Sequence, residues 1–173
     1  MFCAALIRPE APGDAAAVDA LVLAAFGPGR RAKAAERLRE GRRPEGGLSF
    51  VALDGDEIVG TVRLWRIAIG DAPALLLGPI AVAAARRDAG LGGALVEQAC
   101  AAARARGEQT LLLVGDEPYF GRFGFRRAEG VVMPGPVDRG RVLIHRLDGA
   151  AADLAGPVTP RAPFDAPELG DRP

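Results

Sequence analysis

Ile80-Ala81-Val82-Ala83-Ala84-Ala85-Arg86-Arg87-Asp88-Ala89-Gly90-Leu91-Gly92-Gly93-Ala94-Leu95 joins an apolar run to an amphipathic one through a short basic, glycine-rich link. Upstream, Ala74 to Val82 has the continuous apolar character of a buried strand. Downstream, Leu91, Ala94, Leu95, Ala99 and Ala102 recur at the three-and-four spacing of one helical face, and Gly107 suits the C-terminal stop. A strand that enters a helix through such a loop is built for an anion. The first N–H groups of the helix lack partners, the helix dipole adds partial positive charge there, and glycines let phosphate oxygens reach the main chain. The ligand expected is a phosphate ester. A dinucleotide fingerprint would need a third glycine where Leu95 stands, and a Walker loop would need Gly-Lys-Ser/Thr, which is absent.

Working outward, Gly78-Pro79 removes one ladder donor from the strand, so a bulge or an unpaired edge is expected there. Thr110 to Val114, bounded by Gly107 and Gly115, reads as a buried parallel strand that completes a β-α-β unit. Leu48 to Leu53, the turn Asp54-Gly55-Asp56 and the alternating run Glu57 to Ile69 read as a hairpin. Nearer the N-terminus, Ala5 to Arg8 is a short strand stopped by Pro9. Asp14 can then cap a helix carrying Val18, Leu21, Val22, Ala25 and Phe26, closed by Gly27-Pro28-Gly29. A more charged helix is expected from Arg31 to Glu40. Beyond Gly115 come a short helix over Pro118 to Phe123, a strand start at Phe125 to Ala128 and a last strand at Arg141 to Leu147. Residues 1–147 thus form one domain, and the proline-rich stretch 148–173 is expected to be a surface-draped or disordered tail.

Composition narrows the function. At 173 residues the chain is sized for one sizeable core. Its 22 basic and 22 acidic side chains cancel, which argues against nucleic acid or an anionic membrane as partner and makes any anion site local. No apolar run approaches the roughly 18 residues of a membrane span. Cys3 and Cys100 form neither a disulfide framework nor a zinc spacing, so no metal is expected. The first residues lack a signal-peptide pattern, and a cytoplasmic location is expected.

Arg87-x-x-Gly90-x-Gly92 resembles the Gln/Arg-x-x-Gly-x-Gly/Ala signature of the GNAT superfamily of N-acetyltransferases. Tyr119-Phe120-Gly121-Arg122-Phe123-Gly124-Phe125 is similar to the aromatic helix ending in Gly-Phe that closes that family's core, and Leu111 to Asp116 looks like its splayed strand. The resemblance covers about Ala4 to Leu147. It implies an α/β fold with a mixed central sheet of about six to seven strands, about four flanking helices and a splayed strand pair that binds acetyl-coenzyme A. It places the cofactor against Ile80, Ala81 and Val82, against the loop Arg87, Asp88, Ala89, Gly90, Leu91, Gly92 and Gly93, and against Gly115, Tyr119, Phe120, Arg122 and Phe123. The activity implied is direct acetyl transfer to a primary amine on a small molecule or peptide. The alternative is an acyl-coenzyme A binding module without turnover.

Two departures bear on chemistry. Ala84 stands where the family often has proline. Phe120 stands where many relatives place a tyrosine that protonates the leaving thiolate, while Tyr119 is one residue, about 100° of helix, earlier. Tyr119 is the candidate general acid. Asp116 is the candidate base through water, or else a cap on the following helix. His145, the only histidine, is expected to be structural, and Cys100 a small buried residue. The acceptor pocket is expected between Gly27 to Arg31, the hairpin and Met133 to Asp138, and an apolar strand near the C-terminus would suit a homodimer.

Overall fold

A computed structural model describes residues 5–29, 34–150 and 154–163. Cys3, Arg31 with the start of the expected second helix, and the end of the expected tail lie outside them. In chain order the elements are β1 (Leu6–Pro9), α1 (Ala15–Phe26), α2 (Ala34–Arg37), β2 (Phe50–Asp54), β3 (Glu57–Ile69), β4 (Ala72–Val82), α3 (Leu91–Ala105), β5 (Thr110–Val114), α4 (Glu117–Phe120), β6 (Arg126–Arg127), β7 (Val131–Val132), β8 (Val142–Arg146) and β9 (Gly156–Pro160). The sheet runs β1-β2-β3-β4-β5-β8-β6. Every neighbouring pair along it is antiparallel except β4 with β5, the pair joined by α3.

β4 is apolar throughout because both of its faces are covered. Leu75 and Leu77 turn to the α3 face, where Leu91, Leu95, Ala99 and Ala103 pack on them together with Leu111 and Leu113. Ala74 and Leu76 turn to the opposite face, with Ala34, Leu38, Trp65 and Leu112. Val18 and Val22 of α1 cover Val51 and Ala81 on that second side. The strand period of two and the helix period near 3.6 therefore meet in a three-layer packing.

Three local readings are revised. The sheet holds nine strands among the described residues rather than six or seven, because two two-residue strands and β9 join it. Gly156–Pro160, expected within a loose tail, is a strand antiparallel to Ile67–Ile69 of β3 and parallel to β7, with Val158 buried. Two prolines do not prevent this, since β3 runs past the end of β2 and leaves a length of edge uncovered. Asp14 stands at the start of α1 without a side-chain cap bond. Its carboxylate accepts from Ala11 N at 2.7 Å and from Arg8 at 2.6 and 3.0 Å, and Arg8 pulls its pKa down to about 2.

One buried charge cluster fixes β3 against the end of α3. Glu45, fully buried, accepts from Arg106 at 2.9 Å and pairs with Arg66 at 3.2 Å, while Arg66 also forks onto Glu108 at 2.7 and 2.8 Å. Breaking a buried pair leaves uncompensated charge, so Glu45→Leu is expected to cost about 3 kcal/mol. Urea unfolding followed by circular dichroism reads the loss, and a midpoint equal to the parent's would show that the cluster does not hold the sheet.

Candidate functional site

β4 and β5 pair only at Leu75 with Leu111 and Leu76 with Leu112. From there β4 follows β3 as far as Val82 opposite Gly60, and β5 follows β8 as far as Val114 opposite Val142. Two strands held by different partners separate, and a wedge opens between them. Its wall on the β4 side is the expected irregularity: Gly78 and Pro79 together oppose Arg63, with the register shifting between Val62 and Leu64. The freed Gly78 carbonyl accepts from the Trp65 indole at 2.6 Å.

The ladder beyond the bulge decides which donors face the wedge. Ala83 N donates to Val59 O at 2.8 Å, and antiparallel pairs alternate between bonded and non-bonded positions. Ala81 therefore bonds to Thr61, and the N–H groups of Ile80 and Val82 turn away from β3 into the wedge. Of the three residues Ile80, Ala81 and Val82, these two carry the usable donors.

At the end of β4 the chain makes a 3-10 turn over Ala84–Ala89, then Gly90 at φ 71° starts α3. That left-handed conformation is why a glycine stands there. No side chain caps α3, and its first backbone bond is Ala94 N to Gly90 O, so the N–H groups of Leu91, Gly92 and Gly93 lack intrahelical partners. Gly92 and Gly93 line a cavity of about 570 Å³ whose walls also include Val82, Arg87, Glu97, Tyr119, Arg122 and Phe123. Arg87 is exposed at its rim, whereas Arg86 pairs with Asp54 on the β2–β3 hairpin. A Cβ on Gly92 would lie 3.3 Å from the Tyr119 hydroxyl, and one on Gly93 would lie 3.2 Å from Phe123 Cζ. The glycines thus admit the aromatic wall as well as an anion.

The aromatic segment divides between two cavities. Tyr119 packs edge-on to Phe120 at 4.9 Å and carries the Arg122 guanidinium 4.6 Å over its ring, and its hydroxyl lies by Gly92 on the anion side. Phe120 points into the wedge, where its ring occupies the space that a side chain on Gly115 would take. It lines a second cavity of about 400 Å³ with Phe26, Leu77, Ile80, Leu113 and Val137. The one-residue offset between the two rings is therefore a difference of compartment. Position 120 faces the wedge, and Tyr119, the expected proton donor, faces the anion loop.

Asp116 sits at the N-cap position of α4, yet its side chain makes no cap bond there. The carboxylate is mostly exposed, pairs with Arg141 at 3.1 Å and lies at the mouth of the second cavity. Of the residues expected around an acceptor, Pro136 to Asp138 line that cavity, whereas Gly27 to Gly29 and the hairpin do not, and Arg31 lies outside the described residues; Phe26, just before the expected stretch, does line it. Arg39 was not legible as a site residue. Its guanidinium reaches over the bulge, 3.1 Å from where a Cβ on Gly78 would stand. Burial pushes the Cys100 thiol up to about 11, so it is inert. Among the described residues no acidic, histidine or cysteine group could hold a metal ion, and no helix is long and apolar enough to cross a membrane.

Residues 45–127 match the acetyltransferase (GNAT) domain model. A GNAT family N-acetyltransferase (YhbS) from Escherichia coli, solved with CoA, is 28% identical with a TM-score of 0.78, covering 91% of this chain and 90% of its own. A GNAT family acetyltransferase from Brucella melitensis, solved with acetyl-CoA, is 26% identical with a TM-score of 0.69, over 93% and 98%. A GNAT family acetyltransferase from Staphylococcus aureus, at 14% identity and a TM-score of 0.56 over 83% and 99%, shares the fold. No curated protein matches the sequence significantly.

His145 lies behind this wall, its ring 5.3 Å from that of Phe125 and its Cε1 2.7 Å from where a Cβ on Gly124 would be. Burial, and then the charge of Arg104, hold its pKa below the ordinary histidine value. A histidine whose folded pKa is depressed takes up its proton on unfolding, so stability is full above pH 6.5 and falls as the pH drops below it. Because no other histidine is present, His145→Asn should flatten the stability slope between pH 7 and 5, measured by thermal melts. A slope equal to the parent's would overturn this assignment.

Proposed function

We propose, on the premise that this chain belongs to the GNAT superfamily of acetyltransferases, that it moves an acetyl group from acetyl-coenzyme A directly to a primary amine. The observation that carries this reading is the wedge with its two cavities, one ending on uncapped helix N–H groups and the other on an apolar pocket. The chain's donors fit the cofactor's parts. The N–H groups of Leu91, Gly92 and Gly93, with Arg87 and Arg122 nearby, suit a pyrophosphate. The 3-10 turn through Asp88 and Ala89 brings the chain to that site. The paired walls of β4 and β5 suit a narrow amide-bearing arm between Gly115 and the bulge.

When bound, acetyl-coenzyme A supplies a thioester already activated towards amines, so the protein's task is chiefly to hold two reactants together. That arrangement alone can supply roughly 7 to 11 kcal/mol. The Ile80 and Val82 N–H groups are aimed where a carbonyl oxygen would gain charge, and preorganised donors of this kind stabilise it. Phe120 keeps water from the wedge but has no proton to give. We assign Tyr119 to the phosphate side, with its hydroxyl beside Gly92, and solvent at the cavity mouth as the thiolate's proton source. Asp116, tied to Arg141, is a base only by way of an intervening water.

The reading places the enzyme in the cytoplasm with no nucleic-acid partner, its catalytic domain extending through β9, which pairs with β3. Its test is calorimetry. Coenzyme A and acetyl-coenzyme A should bind where NAD and ATP do not compare, with stabilisation reaching about 2.7 kcal/mol at a hundredfold excess over the dissociation constant. Gly92→Val should abolish that binding with the circular dichroism spectrum intact, because the branched side chain would meet the Tyr119 hydroxyl and Val82. The absence of any coenzyme A heat in the parent would remove the proposal.

Tyr119→Phe separates the two roles of that residue. A hydrogen bond to a charged group predicts about a tenfold or greater loss of coenzyme A affinity, with turnover at saturation within about threefold of the parent. A fall in turnover of about 10² or more at unchanged affinity would restore the proton-donor role.

A further inference from the structure

Resting on the acetyl-transfer reading, we infer that the acceptor is a compact monoamine with an apolar body, an arylalkyl or branched alkyl amine rather than a polyamine or a lysine-rich peptide. The cavity on the far side of the wedge decides this. Its floor is Leu77, Ile80 and Leu113, and Phe120, Val137 and the half-exposed ring of Phe26 complete the apolar wall. About 400 Å³, shared with the end of the cofactor arm between Gly115 and the bulge, leaves room for a small molecule and for little of a folded polypeptide.

The charges at the cavity are already engaged. Glu36 pairs with Arg39 at 3.4 Å, Asp116 with Arg141 at 3.1 Å, and Asp138 accepts from Gly140 N at 2.9 Å. Among the described lining residues three carboxylates and two guanidiniums leave the pocket one net negative charge, enough for a single ammonium and too little for a polycation. A second ammonium carried into it would lose its hydration without gaining a partner. An apolar body gains instead from burial.

The same lining accounts for how an amine is made nucleophilic with no histidine among the described lining residues and with Glu36 and Asp116 tied to arginines. Desolvation disfavours the ammonium form and lowers the acceptor's pKa, so the neutral amine is the species at the wedge. Its nitrogen bonds to the thioester carbonyl carbon as the carbon–sulfur bond breaks. The amide nitrogen loses a proton, the departing sulfur gains one, and an amide and a free thiol result. An acceptor with one nitrogen and a hydrocarbon body meets both demands, since its body binds what its charge cannot.

The test compares phenethylamine, spermidine and lysine amide with acetyl-coenzyme A, read as free thiol and as acetylated product by mass spectrometry. The kcat/KM for phenethylamine should exceed the other two by at least about tenfold, the ratio set by less than two kcal/mol of charge burial. Phe26→Ala should lower kcat/KM for phenethylamine about fivefold to tenfold, half the burial of one ring, with coenzyme A affinity by calorimetry unchanged. Preference for spermidine or lysine amide overturns the inference, as does a silent Phe26→Ala. So does the failure of all three amines in a protein that still binds coenzyme A. Loss of coenzyme A binding in the parent would instead strike at the acetyl-transfer reading itself.

Discussion

The divergence of β4 from β5 after two paired residues is the constraint from which the site follows. A parallel pair tied to β3 on one side and to β8 on the other cannot stay closed once its outer partners part. The break exposes backbone donors that a sheet would otherwise consume, and a buried backbone donor must find a partner. Here the bulge at Gly78-Pro79 turns one carbonyl to Trp65 and leaves the Ile80 and Val82 N–H groups aimed at the opening. What would be a defect in a closed sheet leaves donors open to a ligand in this one.

The elements around the wedge serve its two mouths. On one face α3 begins at a left-handed glycine with no side-chain cap, which keeps its first N–H groups open to an anion. The aromatic segment after β5 then packs its rings against Gly92, Gly93 and Gly115, so the same small residues that admit a ligand also admit the wall that confines it. At the other mouth α1, α2 and the segment before β8 enclose an apolar chamber at whose edge Glu36 pairs with Arg39 and Asp116 with Arg141. Among the described lining residues the first cavity carries one net positive charge and the second one net negative charge, although the chain as a whole is neutral.

Stability is arranged away from this opening. Glu45, Arg66, Arg106 and Glu108 bind the loop before β2, the middle of β3 and the end of α3, while Arg63 joins Glu10 and Asp19 across the other face. Arg66, with two carboxylate partners, and Arg106, with Glu45, anchor the frame at the closed end of the wedge, and Arg63, with two more, holds β3 opposite the bulge, so the open end can forgo strand pairing without loosening the sheet.

Local pattern in the sequence was sufficient for the β-α-β unit, the hairpin, the irregular strand at Gly78-Pro79 and the anion loop, because period, glycine and proline act within a few residues. The glycine-rich loop and its uncapped helix start were legible for that reason. It was not sufficient for β9, whose pairing with β3 depends on an edge left open by the shorter β2, or for Asp14, which Arg8 and Ala11 take from the helix start. Nor could it say that Tyr119 and Phe120 stand in different compartments, or bring Arg39 to Gly78. Those are decided by how α4 and α2 lie on the sheet, and the direction of a side chain on a single helical turn is fixed by what it packs against rather than by its place in the chain.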